Sequence, residues 1–543
     1  MTDPVRDLAA AVADAATSLR GGDGAARLPV LERPPKPEFG DYSTNAALLL
    51  APALGEPPRD VAERLGSELA LRLQRQVERV EVAGPGFLNL FMSDAWSREA
   101  VAGALRSGAS YGGGKKGLGE RMNVEFVSAN PTGPVTVAAA RHAAYGDSLC
   151  RILEFAGNEV EREYFVNDHG GQIERFAASI RARALGEEPP EDGYKGGYVA
   201  GVADRIEGAA ALDDDELARR GVAIMMDEVK GTLERFRVHM DRFAHEREKH
   251  ETGAVEQALE RLRENDHVYT HDGAVWLRTT TFGDDKDRVL VRSDGEKTYF
   301  AADIAYHEDK LQRGYDRVID VWGADHHGYV ERMRAAWEAL GGGPERLELL
   351  IMQLVNLMEG GLRAQMSKRA GAIVALDDLI SDIGVDATRW FLVQRSHDTA
   401  LDLDLELARR QSQDNPVYYA QYAHARIASI LRKAGEARVK AALEAELIAG
   451  EGALHPSERA LVKGLLELPG EVRDAAERRA PHRITTYVIE TAQAFSAFYR
   501  DCKVVGAAEE GGDEDLRIAL CETTRRVIAR GLDLLGVQAP QQM

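Results

Sequence analysis

The chain of 543 residues carries 68 lysines and arginines against 89 aspartates and glutamates, a formal net charge of -21. This length predicts roughly three or four domains. The lack of any apolar run of about 18 residues, with a polar opening stretch, excludes a helical membrane protein and predicts a cytoplasmic one. The charge argues against a surface coated by nucleic acid but leaves room for local basic faces. Three widely separated cysteines, Cys150, Cys502 and Cys521, exclude a disulfide framework and a cysteine zinc site, and read as buried thiols.

Residues 1 to about 20 read as an amphipathic helix. After a Gly-rich turn and an extended Pro-rich stretch, Asp41 or Ser43 is placed to cap a helix starting near Thr44. A second helix runs from about 58 to 76, and VERVEVAGPGFLNLFMS forms two short strands about a Gly-Pro-Gly turn. Together these predict an N-terminal α+β module over residues 1–110.

A Gly/Lys linker then leads into NVEFVSANPTGPVTVAAARHAAYGD, residues 123–147. Val124 and Phe126 alternate as a strand, Pro131, Gly133 and Pro134 force a turn, and the Ala-rich run continues as a helix. A strand, turn and helix in this order open a nucleotide-binding parallel sheet, since a helix N-terminus offers backbone N–H groups to phosphate. Glu125 and Asn130 stand at the carboxyl end of the strand, where ligands of open α/β sheets bind. EVEREYFVNDHGGQIERFAASI gives a second strand and helix.

Residues 184–201 read as a long loop, helices follow at about 213–236 and 252–265, and strands close the stretch with a hairpin around Ser293, Asp294 and Gly295. The span of about 180–295 is therefore expected to be an insertion within a catalytic domain of residues 120–400. Tyr299 and Asp303, four apart, share one helix face. RVIDVWGADHHGYVERM is a strand entering a helix, LLIMQLVNLMEGG a further strand, and GLRAQMSKRAGAIV a loop flanked by glycines. From about 410 to 543 the pattern is helical, an all-α bundle with basic clusters at 426–440, 478–483 and 525–530.

These landmarks carry a family resemblance. VEFVSANPTGP, the Ala-Arg helix ending in Gly146 and Asp147, the segment of Asn167, Asp168 and Gln172, GADHHGY, Met366-Ser367-Lys368-Arg369, NPVYYAQYAHARI and LLGVQAP together resemble the arginyl-tRNA synthetases, class I aminoacyl-tRNA synthetases, along essentially the full chain. One tetrapeptide departs: Thr136, Val137, Ala138 and Ala139 stand where the family has its HIGH-type signature with two histidines. The implied fold is multidomain α/β: a Rossmann-like catalytic domain with an insertion, the N-terminal α+β module, and a C-terminal all-α anticodon-binding bundle.

The resemblance implies ATP-dependent ligation of L-arginine to tRNA(Arg) through arginyl-adenylate, with Mg2+ travelling with ATP. Arginine would be held by Glu125, Asn130, Tyr299, Asp303 and His326, since a planar guanidinium is best met by two carboxylates. ATP would lie against Gly133, Pro134, Thr136, Ala139, Gly323, Met366 and Lys368, and the catalytic set would be Lys368, Ser367 and Thr136. Lys368 supplies a point charge on a flexible stem to the departing pyrophosphate. His142 or Arg141 is placed to substitute for the missing histidines. In the N-terminal module Phe87 would stack on a tRNA base and Asn89 read its edge; Tyr418, Tyr422, Tyr487 and Met543 are further tRNA candidates by placement alone.

Asp325, His326 and His327 are adjacent and point apart, so no metal site is expected there. A monomer is the default. Two alternatives stay open: a degenerate paralogue that binds arginine or tRNA without activating, and another α/β nucleotidylyltransferase.

Overall fold

The structure, a computed structural model, describes residues 3–21, 31–34, 36–363, 374–447, 450 and 452–543. Met366, Ser367 and Lys368 lie outside the described residues, as do Gln365, Arg369 and Gly371.

The N-terminal module is an antiparallel sheet in the order Leu31–Glu32, Tyr42–Thr44, Phe87–Met92, Val77–Ala83, backed by helices Pro4–Arg20, Ala46–Leu54 and Pro58–Leu73. Neither expected cap serves the helix at Ala46: Asn45 occupies the cap position and Thr44 Oγ1 accepts from the Ala46 N–H at 3.2 Å. Asp41 is instead buried, accepts from the Met92 N–H at 2.6 Å and pairs with Lys463 of the C-terminal bundle. It thus ties the first module to the last.

The catalytic sheet has five parallel strands in the order Leu347–Met352, Arg317–Gly323, Arg121–Glu125, Glu159–Val166, Arg242–His245. The order reverses beside Arg121–Glu125, and in open parallel sheets ligands bind in the crevice at that switch, beyond the carboxyl strand ends. The stretch expected to be one insertion divides. Gly197–Arg205 is a helix where a loop was expected, and the edge strand Arg242–His245 belongs to the catalytic sheet itself. A separate three-stranded sheet, Val268–His271, Ala274–Leu277 and Arg288–Val291, follows it. Likewise LLIMQLVNLMEGG contains two strands: Leu347–Met352 in the main sheet, and Val355–Glu359, which pairs with Leu401–Asp404 in another.

The last region is helical, from Pro416–Ala434 through Glu436–Glu444, Pro456–Leu466, Leu468–Glu477, His482–Asp501 and Glu514–Leu534. Its arginines are largely paired: Arg438 with Asp515, Arg479 with Glu348, Arg483 with Glu471, Arg525 and Arg526 with Glu522. All three cysteines are free and buried. No described helix is long and apolar enough to cross a membrane.

Two sequence landmarks meet at one side chain. The helix Val137–Phe155 lies so close to the strand before it that a Cβ on Gly146 would come within 2.2 Å of the Phe126 ring. The neighbouring Asp147 carboxylate accepts from Arg389, which is wholly buried and also donates to the carbonyls of Leu535 at 2.8 Å and Phe236 at 2.9 Å. Gly536 at the end of the bundle is left-handed, φ +66°, and a Cβ there would stand 2.3 Å from the Arg389 guanidinium. Gly536→Ala should therefore destabilise the protein by about 2–4 kcal/mol, combining a left-handed alanine with overpacking. Gly511→Ala, with φ +75° but open space around it, should lose only about 1–2 kcal/mol. Thermal unfolding of the two variants side by side checks the difference.

Candidate functional site

Three carboxylates lie in register across neighbouring strands at the switch point: Asp320 beside Glu125, and Glu125 beside Glu163. Like charges so placed repel unless cations come between them. The helix Tyr299–Gln312 and the residue after it supply those cations. Along it Asp303, His307 and Lys310 fall at i, i+4 and i+7, one face. Lys310, fully buried, donates to Glu125 Oε2 at 2.6 Å and Asp320 Oδ1 at 2.7 Å. His307 Nε2 lies 2.9 Å from Asp320 Oδ2, and Arg313 holds Glu163 through bonds of 2.6 and 3.0 Å.

The charges settle accordingly. Burial works to raise Asp320 and Glu163, but Lys310, with His307 at the first and Arg313 at the second, holds both down at about 2. Burial works to lower Lys310, and Asp320 and Glu125 push it well up instead. For Glu125 burial prevails over Lys310 and its carboxyl is raised. Its second oxygen accepts from Ser128 Oγ at 2.9 Å. Ser128 and Val127 both have positive φ, +37° and +70°, a strained pair for non-glycine residues at the end of the central strand. That strain lets the Ser128 hydroxyl reach both Glu125 and the Phe165 N–H, at 3.0 Å. Glu125, expected to hold arginine, is thus engaged at both oxygens by the protein itself.

Two acids facing the crevice are not. Asp303 accepts one hydrogen bond, from the Tyr329 hydroxyl at 2.5 Å, and burial, with Glu125 nearby, raises its carboxyl to about 6. Glu246, just past the edge strand, is buried and accepts none among the described residues; burial, then the charges of Asp303 and Asp168, raise it to about 8. Asp168 differs because His245 Nδ1 at 2.7 Å and the Arg247 N–H at 2.9 Å overcome its burial and keep it low.

The other expected residues are placed as follows. Asn130 is exposed and donates to Gln172 at 2.7 Å. Tyr299 is 62% exposed, and its hydroxyl would touch a Cβ on Gly170 at 3.0 Å, so both rim groups meet the loop after the second strand. His326 is exposed and leans on Trp322, ring centres 6.0 Å apart. Gly323 has an ordinary φ of -71°, and the space its missing Cβ leaves is filled by the Asp325 carboxylate. Gly133 sits under Tyr198, whose hydroxyl donates to the Thr132 carbonyl at 2.8 Å, and Pro134 beside it is half-buried.

At the departed tetrapeptide, Thr136 is the N-cap of the helix: its hydroxyl accepts from the Ala139 N–H at 3.2 Å. The Val137 N–H is taken by the Val374 carbonyl at 3.1 Å, which leaves the exposed Ala138 as the first-turn N–H without a partner among the described residues. Arg141 is not available as a substitute, because its buried guanidinium donates to the carbonyls of Gln353, Ser396 and Thr399 at 2.7–2.9 Å. His142 is different: its Nδ1 is buried without a partner, and burial lowers the ring to about 4, so it is neutral near pH 7.

Of the tRNA candidates, Phe87 and Met543 are exposed, and Tyr418 stacks parallel on the exposed Tyr422, centres 6.2 Å apart. Asn89 is buried within the N-terminal sheet. Tyr487 is a core residue bonded to the Gly464 carbonyl at 3.0 Å, so it offers no surface for contact. Lys310, Asp320, Tyr329 and Glu246 were missed. The i, i+4, i+7 face from Asp303 to Lys310 was a visible signal for the first; nothing in the local sequence marks the others.

Comparisons with known proteins cover nearly the whole length. Family models described as arginyl tRNA synthetase N terminal domain, tRNA synthetases class I (R) catalytic domain, and DALR anticodon binding domain match residues 6–92, 211–428 and 420–543. An arginine–tRNA ligase of Frankia alni is 48% identical over 528 residues, 94% of each chain. Among solved structures, a putative arginyl tRNA synthetase from Campylobacter jejuni superposes with a TM-score of 0.76 at 35% identity, covering 83% of this chain and 100% of that one. The arginyl-tRNA synthetase of Thermus thermophilus gives 0.79 at 25% identity over 100% of both.

The buried ion cluster has a direct test. Lys310→Met leaves Glu125 and Asp320 facing each other without their cation, and should cost about 3–5 kcal/mol. Chemical denaturation of the variant against the parent measures it.

Proposed function

The chain belongs to the arginyl-tRNA synthetase family and ligates arginine to tRNA, and from that premise we propose how its residues divide the work. ATP use follows from the class I catalytic domain. The arginine guanidinium enters the switch-point crevice and is met by Asp303, which keeps one oxygen free, and by Glu246, which keeps both. Glu125 forms the floor, its position set by Lys310 and Ser128. Tyr299 covers the aliphatic stem, and Asn130 with Gln172 takes the α-amino or carboxylate end. The single observation that carries this assignment is the imbalance of the crevice: two buried carboxyls are pushed up to about 6 and about 8, the state that a bound cation would relieve.

In the first step a carboxylate oxygen of arginine attacks the ATP α-phosphorus and pyrophosphate leaves; in the second a hydroxyl of the terminal tRNA adenosine attacks the carbonyl carbon and AMP leaves. No covalent enzyme intermediate is needed, so the protein's contribution is positioning and charge stabilisation. Lys368, with Met366 and Ser367 beside it, meets the departing pyrophosphate, and Mg2+ arrives with the ATP phosphates rather than in a protein cage. At the departed signature, Thr136 keeps the helix end capped and Ala138 presents its N–H to phosphate, with neutral His142 packed near Asp325 and His326. Phe87 and the stacked pair Tyr418 and Tyr422 form the tRNA-facing set. The enzyme works as a cytoplasmic monomer.

Arginine-dependent exchange of pyrophosphate into ATP, run with and without tRNA, should give a signal in at least one condition; a blank in both would overturn the activation chemistry. Because arginine needs the ionised forms of Glu246 and Asp303, neutral below about 8 and about 6, KM for arginine should climb about tenfold for each pH unit below about 8 and more steeply below about 6, with KM for ATP flat. Asp303→Asn should raise KM for arginine by about 10–100-fold and remove the steeper limb of this pH dependence.

A further inference from the structure

Beside the crevice, outside the groups assigned above except for Glu246, two histidines and that glutamate converge. Glu246 and His250 lie at i and i+4 on the short helix Glu246–Glu251, so both project from one face, and His169 comes from the loop after the second catalytic strand. The two imidazoles are stacked, ring centres 4.0 Å apart and 16° from parallel. One ligand atom from each of the three lies within 4.8 Å of the others. Among the described residues, no hydrogen-bond donor reaches the buried Glu246 carboxylate, and neither imidazole has a hydrogen-bond partner. Two stacked imidazoles beside a buried carboxyl without a donor form a set of nitrogen and oxygen ligand atoms that suits a divalent cation.

We propose that His169, Glu246 and His250 form a binding site for a divalent cation of the zinc class, with a fourth position open to water or substrate. Two nitrogens and one oxygen match three-ligand zinc sites. Ligand distances of about 2.0–2.1 Å in a tetrahedron would draw the donor atoms to about 3.3 Å apart. Exposed His169, on its loop, is the group free to make that adjustment. Lys297, whose charge reaches His250, is already paired with Glu256. Zinc here would also displace the Glu246 proton, occupy that carboxylate and compete with arginine; that consequence alone rests on the assignment of Glu246 to the arginine crevice.

The test titrates ZnCl2 alone into the full-length, chelator-treated protein by calorimetry, with His169→Ala and His250→Ala in parallel. One strong site is expected. Losing even an outer-sphere partner costs about 10–100-fold in metal affinity, so each variant should weaken binding by at least that much, while its metal-free circular dichroism and melting stay those of the parent. Co2+ should show the intense visible bands of four-coordination in the parent and lose them in both variants. Absence of binding at millimolar zinc, or a site unchanged in both variants, would overturn the proposal. A zinc site lost in the variants but without effect on KM for arginine would uphold it and remove Glu246 from the arginine crevice.

Discussion

A lysine with no exposed surface holds the catalytic crevice together. Lys310 sits between Glu125 and Asp320, two acids that adjacent parallel strands force side by side. A cluster of this kind contributes little net stability over an apolar one, since desolvation offsets most of the attraction. Its use is geometric. The central strand, the next strand of the sheet and the helix from Tyr299 are locked in one register, and that register aims Asp303 and Tyr299 at the switch-point crevice.

With Glu125 engaged at both oxygens, the two acids beside it are left short of donors. Asp303 has one donor and Glu246 none, and both carboxyls are raised because they were buried before any cation arrived. A cation entering the crevice would meet two acids that the fold has left without cations of their own. The helix end opposite shows a different solution. The signature histidines are absent, and Thr136 caps the helix where an imidazole would otherwise stand. What the helix end still offers is the Ala138 backbone N–H, without a partner among the described residues.

Further away, Arg389 joins what sequence distance separates. It binds Asp147 at one side and the carbonyls of Phe236 and Leu535 at the others, so the signature helix, a helix of the catalytic region and the C-terminal bundle share one guanidinium. Asp41 does the same for the N-terminal module through Lys463. Buried ion pairs across module junctions fix orientation because any slip exposes an uncompensated charge.

The sequence by itself determined the order of the modules, the strand, turn and helix at residues 123–147, the helical C-terminal region and the acids at 125 and 303, because those features are written in local periodicity and in turn residues. It misread what depends on neighbours distant in the chain. Arg242–His245 resembles any short strand until its partner Glu159–Val166 places it in the catalytic sheet. Tyr487 lies on a helix whose buried face is chosen by the helices around it. Glu125 reads in the sequence as an acid for arginine, and Lys310, 185 residues away, becomes its partner only once the sheet has formed. Which acids stay unpaired is a matter of tertiary charge balance, and for that reason the folded structure alone decided where a cation can be held.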